Sequence, residues 1–377
     1  MSGKHNTPRL GNMHDELIRA LQKPEGISGL KKTHANIRKP KARKNHLKVQ
    51  HTLVKILEML MKILDSSTLQ KLRKKVVDLT PVALYPIART LTIEALKLGP
   101  IPKHISFIMD GNRRYSREQG ISIQQGHFRG FESLKRLLEF LLRIGVLHIT
   151  VYAFAIDNYR RTAEEFEKLM DMGKSKMLEI CERGELFERF GIRVRMVGRV
   201  DLLPPDVQVL VARVQALTAK NNRGVINIAF SYSAQEEIAS AITETVQETT
   251  HQRLSASSIN MDTVASHLYT THTPPLDMLV RSSGVNRISD YLLWQLIINS
   301  SKYVKDDKGE RKDGSDHSSQ VDLERDITEG AAYHIVPTHW PNFGMDDMVP
   351  IILKWQLGEF RKFLGLTTET QVGNLLK

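Results

Sequence analysis

The sequence predicts an α/β protein, a single domain with a mainly parallel six-stranded sheet flanked by helices. Three observations lead to that prediction. From residue 101 onward, short apolar runs alternate with helical patterns, and this alternation is typical of parallel sheets. The 377 residues are 41% hydrophobic, enough to build the core of one large domain. The single cysteine, Cys181, excludes a disulfide scaffold and favours a reducing compartment.

Each predicted element has its own local signal. Short apolar runs predict six strands, the last of them the shortest: 105–109, 149–154, 192–197, 225–230, 276–280 and 334–336. A helix after the first strand should end at Gly145, and another should cover 202–220. Ser/Thr-x-x-Glu capping boxes at Thr162 and Ser233 open two more. Ser289 is predicted to cap a short helix before the last strand.

The first 99 residues differ from this body. Residues 1–50 hold twelve Lys or Arg against three Asp or Glu, so the arm carries +9 of the chain's net charge of +12. A solvated, disordered arm, a polybasic segment for a membrane surface and a nucleic-acid-binding tail all remain open. The last is the weakest, since the arm lacks aromatic residues for base stacking.

Residues 51–99 predict amphipathic helices. The pattern over 52–65 has a wide apolar face, which suits a bilayer surface or packing on a protein equally well. A second amphipathic pattern ends at Gly99. No run reaches the roughly 18 apolar residues of a membrane span, so any membrane contact should be peripheral. The predicted main domain covers 100–365, and its charged stretch at 301–330 is interpreted as a surface insertion.

Arginines and carboxylates follow three of the predicted strands, and parallel sheets bind ligands at that end of their strands. Arginine forks match phosphate oxygens, and a carboxylate beside them can hold Mg²⁺ against a diphosphate. The sequence therefore predicts a site for one or two diphosphates. Neither a P-loop nor a dinucleotide-binding glycine motif occurs, which disfavours nucleotides. The residues concerned are Asp110, Gly111, Asn112, Arg113, Arg114, Asp157, Asn158, Arg160, Arg161, Arg281, Arg287 and Ser289.

Five segments resemble the signatures of a known family. Residues 104–115 (HISFIMDGNRRY), the pair Gly126-His127, and segments 152–161, 277–295 and 340–343 follow one another in its order. The chain over about 85–360 thus resembles the cis-prenyltransferases, the undecaprenyl and dehydrodolichyl diphosphate synthases. The arginine after Asn112, where bacterial members usually have glycine, resembles the eukaryotic dehydrodolichyl branch.

The resemblance implies a reaction and a role for each site residue. Isopentenyl diphosphate would add repeatedly to an allylic primer such as farnesyl diphosphate, giving a long cis-polyprenyl diphosphate for dolichol and protein glycosylation. Asp110 would be the metal ligand, binding Mg²⁺ and assisting departure of the allylic diphosphate. Asn158 stands where proton removal is assigned; because an amide is a poor base, we interpret it as an orienting group. The implied allylic cradle is Gly111, Asn112, Arg113, Arg114, His127 and Arg161; the implied isopentenyl diphosphate contacts are Arg281, Arg287 and Ser289; Tyr115, Asp157 and Tyr159 complete the implied set.

Departures from the family pattern set further expectations. Asp157 replaces a glutamate, and Ser300 stands where bacterial members carry a metal-binding glutamate. The sequence after 372 lacks the Arg-x-Gly motif of homodimeric members, so an accessory subunit is expected to supply it. The implied location is the cytosolic face of the endoplasmic reticulum membrane, bound peripherally, with lipid droplets as a further option.

The sequence disfavours three other classes of protein. A non-catalytic scaffold subunit of the same complex would lose the Asp-Gly-Asn signature and keep the C-terminal motif, the reverse of this sequence. A basic nucleic-acid-binding protein rests on charge alone, so no nucleic-acid partner is expected. A trans-prenyltransferase would need paired Asp-Asp-x-x-Asp motifs, which the main domain lacks.

Overall fold

The computed structural model describes residues 85–182, 185–297 and 331–363. The chain divides into two compact units, residues 1–100 with 353–377 and residues 101–352. The predicted basic arm, the amphipathic pattern at 52–65 and the charged insertion lie outside the described residues. None of the described helices is both long enough and apolar enough to cross a bilayer.

In the first unit, helix α1 covers Tyr85–Leu96 and ends just before the predicted stop at Gly99. Its buried apolar side chains are Ile93 and Leu96, whereas Ile87 is exposed. The side-chain amide of Gln356 donates to the carbonyls of Leu96 (2.7 Å) and Pro100 (3.0 Å). The Leu96 carbonyl is one that the end of a helix leaves without an intrahelical partner, and Pro100 lies in the loop that follows.

The second unit contains the predicted six-stranded sheet. Its strand order is β3-β4-β2-β1-β5-β6, and every neighbouring pair runs parallel. The fold class is therefore confirmed. The strands are β1 (His104–Ile108), β2 (His148–Ala155), β3 (Ile192–Val197), β4 (Gly224–Tyr232), β5 (Met278–Arg281) and β6 (Ala332–Ile335).

Helices connect and flank these strands. The first long one ends at Gly145, which takes a φ of +106° that glycine adopts without strain, as the sequence predicts. The helix predicted over 202–220 begins only at Pro205, because a short 3₁₀ turn occupies Val200–Leu202. The helices are α2 (Asn112–Glu118), α3 (Ile123–Ile144), α4 (Ala163–Glu182), α5 (Glu185–Phe190), α6 (Pro205–Thr218), α7 (Ala234–Thr250), α8 (Met261–Ala265), α9 (Leu293–Ile297) and α10 (Met345–Phe363).

The core lies on the central strands. All residues of β1 and β5 are buried, as expected for strands covered on both faces. Phe107 of β1 packs against Trp340 and Phe343, with ring centroids 6.0 Å and 6.3 Å away. This aromatic group fixes the segment before α10 against the middle of the sheet.

The predicted helix starts are correct in two cases and wrong in one. Thr162 and Ser233 each accept the backbone N–H three residues later, both at 3.3 Å. Ser289 does not cap a helix, because α9 begins at Leu293 and the Ser289 hydroxyl instead accepts N–H groups from Arg281 and Arg287. Its left-handed backbone conformation (φ +56°) reflects these tertiary contacts.

Candidate active site

Asp110 and Arg281 meet where β1 and β5 end. These strands pair in parallel with Ile108 opposite Arg281, so residues far apart in sequence become neighbours. Nη2 of Arg281 lies 2.7 Å from Oδ2 of Asp110, and the Arg281 side chain is only 3% exposed. Nη2 of Arg114 lies 3.3 Å from the other carboxylate oxygen. The Asp110–Arg281 ion pair lines the site.

The charge state of Asp110 follows from these neighbours. Burial acts to raise the pKa of the carboxyl, but the hydrogen bond and charge of Arg281, the N–H of Gly111 and the charge of Arg114 outweigh it. The net effect lowers the pKa below its ordinary value, so Asp110 is ionised at neutral pH.

Gly111 turns the chain from β1 into α2 and must be glycine. Its φ is +97°, and a Cβ there would lie 2.5 Å from Oγ of Ser283 and 2.8 Å from Nδ1 of His339. The close approach lets its N–H donate to Oδ1 of Asp110 at 2.6 Å. His339 in turn forms hydrogen bonds with Ser283 (2.6 Å) and Glu118 (2.9 Å), and these bonds support the turn at Gly111.

A second cationic group lies after β2. The guanidinium of Arg161 donates to Oδ1 of Asn158 (3.2 Å and 3.0 Å) and to Glu165 (2.5 Å). Nη1 of Arg113 lies 3.6 Å from the same Glu165 carboxylate. One carboxylate thus sits between two arginines and reduces their repulsion while neither guanidinium is fully neutralised.

Two buried polar atoms near these arginines have no hydrogen-bond partner among the described residues: Nε2 of His127 and Oδ1 of Asn112. Buried polar atoms are normally satisfied, so such atoms beside a cavity indicate ligand contacts. Burial, followed by the charges of Arg161 and Arg113, lowers the pKa of His127 to about 4. His127 is therefore neutral at pH 7 and can donate or accept one hydrogen bond without adding charge.

The loop after β5 brings a third set of donors. Nη1 of Arg281 donates to Oγ of Ser289 at 2.8 Å, and Nε of Arg287 donates to the same oxygen at 3.2 Å. Because the Ser289 oxygen accepts both bonds, its own proton is left to donate to a further acceptor. Arg281 also donates to the carbonyl of Arg287.

These groups surround two cavities that share a rim. The smaller, of about 550 Å³, is lined mainly by polar and cationic residues: Asp110 and Gly111, four residues of α2, and His127, Arg161 and Arg287. The larger, of about 770 Å³, shares part of that rim and continues between apolar walls. The walls include Phe131, Leu134, Phe154, Leu169, Met172, Met196, Ile228 and Phe230. A charged mouth above an apolar chamber suits a ligand with an anionic head and a hydrocarbon tail.

The donor set around Asp110 fits Mg²⁺ in one specific way. The carboxylate is ionised and faces both cavities. Among the described residues, no cluster of three or more His, Cys, Asp or Glu side chains could hold a metal alone. Mg²⁺ is commonly held by one or two carboxylates together with substrate phosphates. Asp110 therefore fits as the protein anchor of an ion shared with a diphosphate.

The structure brings together twelve of the fifteen predicted site residues at this rim. Arg160, Tyr115 and Tyr159 line neither cavity, and the Arg160 side chain is 86% exposed. The Tyr115 hydroxyl accepts from Arg129 at 2.8 Å, and the Tyr159 hydroxyl pairs with Ser231 at 2.5 Å. The twelve are Asp110, Gly111, Asn112, Arg113, Arg114, His127, Asp157, Asn158, Arg161, Arg281, Arg287 and Ser289.

Sequence reasoning missed several supporting residues. Glu165 was interpreted only as part of a capping box, although its carboxylate pairs with Arg161 and Arg113. Arg117 lines the smaller cavity one turn after Arg113 and Arg114, a helical spacing that could have identified it. His339 gave no sequence signal, since only the fold brings it under Gly111.

Comparison with known proteins gives one family. The prenyltransferase family described as undecaprenyl diphosphate synthase matches residues 108–307. The human dehydrodolichyl diphosphate synthase complex subunit DHDDS is 40% identical over 200 residues, covering 53% of this chain and 60% of the human protein. The corresponding complex subunit of Schizosaccharomyces pombe is 31% identical over 268 residues, covering 71% of this chain and 90% of that protein.

An archaeal relative agrees with this family, and a solved structure has a similar fold. The tritrans,polycis-undecaprenyl-diphosphate synthase (geranylgeranyl-diphosphate specific) of Pyrococcus furiosus is 35% identical, covering 58% of this chain and 83% of that protein. The fold matches the crystal structure of lavandulyl diphosphate synthase from Lavandula x intermedia in complex with dimethylallyl diphosphate (TM-score 0.56, 22% identity, 68% of this chain and 95% of that one). The chain belongs to the undecaprenyl diphosphate synthase family of prenyltransferases.

Proposed function

We propose that this chain is the catalytic subunit of a dehydrodolichyl diphosphate synthase. It adds isopentenyl diphosphate repeatedly to an allylic primer such as farnesyl diphosphate, forming a cis double bond at each step. The observation that carries the proposal is the shared rim, where Asp110, Arg161, Arg281 and Arg287 surround one mouth above an apolar chamber. The human and fission yeast relatives with the corresponding name support the choice of reaction.

The allylic diphosphate would lie in the smaller cavity. Arg113, Arg114 and Arg161 offer guanidinium donors, and His127 offers a neutral ring that adds a hydrogen bond. Fixed donors of this kind stabilise charge that develops on a leaving diphosphate without reorganising during the reaction. Asp110 would hold Mg²⁺, which when bound neutralises part of that charge.

Isopentenyl diphosphate would bind on the other side of the rim, where Arg287 and Ser289 present their donors and Arg281 holds them in place. Asn158 orients rather than accepts a proton, because its amide oxygen already accepts two N–H groups from Arg161. The growing chain would extend along the apolar walls of the larger cavity, since apolar surface favours contact with hydrocarbon over contact with water.

An accessory subunit and a membrane location belong to the same proposal. The human and fission yeast relatives are named complex subunits, which supports a heteromer in which a partner completes the site. A hydrophobic polyprenyl product favours a peripheral position on the cytosolic face of the endoplasmic reticulum membrane, for use in dolichol and glycoprotein synthesis. Mg²⁺ is the expected cofactor.

The test is prenyl transfer by the purified chain, alone and with its partner, from farnesyl diphosphate and labelled isopentenyl diphosphate with Mg²⁺. Asp110→Ala should lower the rate about 1,000-fold, since a metal anchor contributes several kcal/mol at the transition state. Asp171→Ala, which removes a carboxylate that is 71% exposed on α4, is the matched control and should transfer normally. If the complex with the partner transfers equally well with Asp110→Ala, the result would contradict the proposal and favour the scaffold-subunit alternative.

A further inference from the structure

Ser289 is held in a conformation that its own sequence does not favour. Three residues of one short segment, Ser289, Asp290 and Leu292, have φ values of +56°, +53° and +48°. Residues with side chains rarely adopt this left-handed region, and they remain in it only where surrounding contacts determine it. Some group must therefore fix the segment from outside.

The start of α7 does so, and it holds the segment through Asp290. Its backbone carbonyl accepts the N–H of Ala234 (3.0 Å), and its Oδ1 accepts the N–H of Gln235 (3.1 Å). Its Oδ2 accepts the hydroxyl of Ser233 at 2.5 Å, and that hydroxyl also caps the N–H of Glu236 (3.3 Å). Three of the helix's first N–H groups thus depend on Asp290 directly or through Ser233.

The helix α7 and the loop that holds Asp290 stabilise each other. The carboxylate lies at the positive end of the 17-residue helix α7, where a negative charge is stabilised. In return, the rigid helix fixes the left-handed backbone of Asp290, and with it that of Ser289. Both carboxylate oxygens accept hydrogen bonds at the start of α7, so the role argued here for Asp290, which also lines the larger cavity, is to hold Ser289 in place.

The consequence is that the two guanidinium groups share one correctly placed acceptor. Oγ of Ser289 lies 2.8 Å from Nη1 of Arg281 and 3.2 Å from Nε of Arg287. If the segment relaxed to negative φ, this hydroxyl would leave both donors, and Nε of Arg287 would lose its hydrogen bond to Ser289.

We infer that Asp290 is a positioning residue that fixes Ser289, Arg281 and Arg287 as one preformed diphosphate subsite. The assignment of that subsite to isopentenyl diphosphate rests on the proposed function. We call the contacts of Asp290 with Ser233, Ala234 and Gln235 the clamp. The clamp itself rests on these hydrogen bonds and on the left-handed backbone.

The test compares three variants of the full-length chain by the KM for each substrate. Asp290→Ala should raise the KM for isopentenyl diphosphate about tenfold, the loss of roughly 1.4 kcal/mol of binding, with the KM for farnesyl diphosphate changed less than twofold. Asp290→Asn keeps the acceptor for Gln235 and should give a smaller increase in the same KM. Ser233→Ala removes the other end of the clamp and should act in the same direction, less than additively with Asp290→Ala.

The matched control is Asn260→Ala, which removes a side-chain cap from α8 through two bonds (2.9 Å and 3.0 Å). It should lower thermal stability without changing either KM. An unchanged KM for isopentenyl diphosphate in folded Asp290→Ala, or an equal rise in both KM values, would overturn the inference. Binding of inorganic pyrophosphate by calorimetry separates it from the proposed function: weaker binding by Asp290→Ala supports the clamp even if the chain transfers no prenyl group, and unchanged binding contradicts it.

Discussion

Replacing Arg281 tests how the site is built. Its guanidinium is 3% exposed and bonds Asp110 at 2.7 Å, Ser289 at 2.8 Å and the carbonyl of Arg287. Arg281→Met keeps much of the side-chain volume, so the change isolates the polar contacts. Removing one partner of a buried ion pair costs about 3–5 kcal/mol, because the other charge is left without compensation.

The expected loss lies near the middle of that range. Asp110 is 26% exposed and keeps its bonds to Gly111 and Arg114, which lowers the cost of losing its main partner to about 2 kcal/mol. The bonds to neutral acceptors add about 1 kcal/mol each. A total of about 4 kcal/mol corresponds to a fall in Tm of about 10 °C for a domain of this size. Arg281→Lys keeps the positive charge but not the several N–H donors of the guanidinium, so it should lose less stability than Arg281→Met.

The assays are thermal unfolding and the KM for isopentenyl diphosphate, with Arg143→Met as control. Arg143 forms a helix-surface ion pair with Glu139 at 2.9 Å, and such pairs contribute at most about 0.5 kcal/mol. If Arg281→Met unfolded within about 2 °C of the wild type, the reasoning from burial and pairing would be wrong.

The pH dependence gives an independent check with a defined sign. The lowered pKa of Asp110 contributes stability that is present above the ordinary carboxyl pKa and is lost as pH falls through the folded value. Arg281→Met removes most of this shift. The difference in unfolding free energy between wild type and variant should therefore shrink below about pH 4.

Three further predictions follow from the geometry. Gly111→Ala should lower the free energy of unfolding by about 3 kcal/mol and abolish transfer, because its Cβ would lie 2.5 Å from Ser283 Oγ. The control Gly120→Ala has open space around it and should cost only about 1 kcal/mol in urea unfolding, so equal costs would contradict the clash. His127 should titrate near pH 4 when followed by NMR, and a midpoint near 6.5 would refute its burial among cations. Between about pH 6.5 and 4 the unfolded chain binds a proton at this residue that the folded chain does not, so this group should lower stability as pH falls through that range. Gly173→Leu should shorten the products seen by chromatography, because Gly173 lines the larger cavity and a Cβ there would lie at an ordinary van der Waals distance of 3.5 Å from Phe230. Products of unchanged length would show that the growing chain lies elsewhere.

Much of the sheet could be predicted because its signals are local. Strand β3 has the bounds that its apolar run indicates, and α3 ends at Gly145, where only a left-handed residue allows the turn. The order of the strands in space has no such local signal, since it depends on which apolar faces cover one another. Ser289 illustrates the limit: its sequence suggests a helix cap, but Arg281 and Arg287 compete for the same hydroxyl.

The amino-acid sequence alone determined the strand–helix alternation and the chemistry at the strand ends, because hydrophobic period and residue type are properties of short segments. It also carried the family signatures around Asp110 and Arg281. Only the tertiary structure decided that these two side chains form an ion pair, that Tyr115 and Tyr159 line neither cavity, and that α7 fixes the loop of Asp290. Those outcomes depend on contacts between distant segments, which exist only after the parallel strands have brought their ends together.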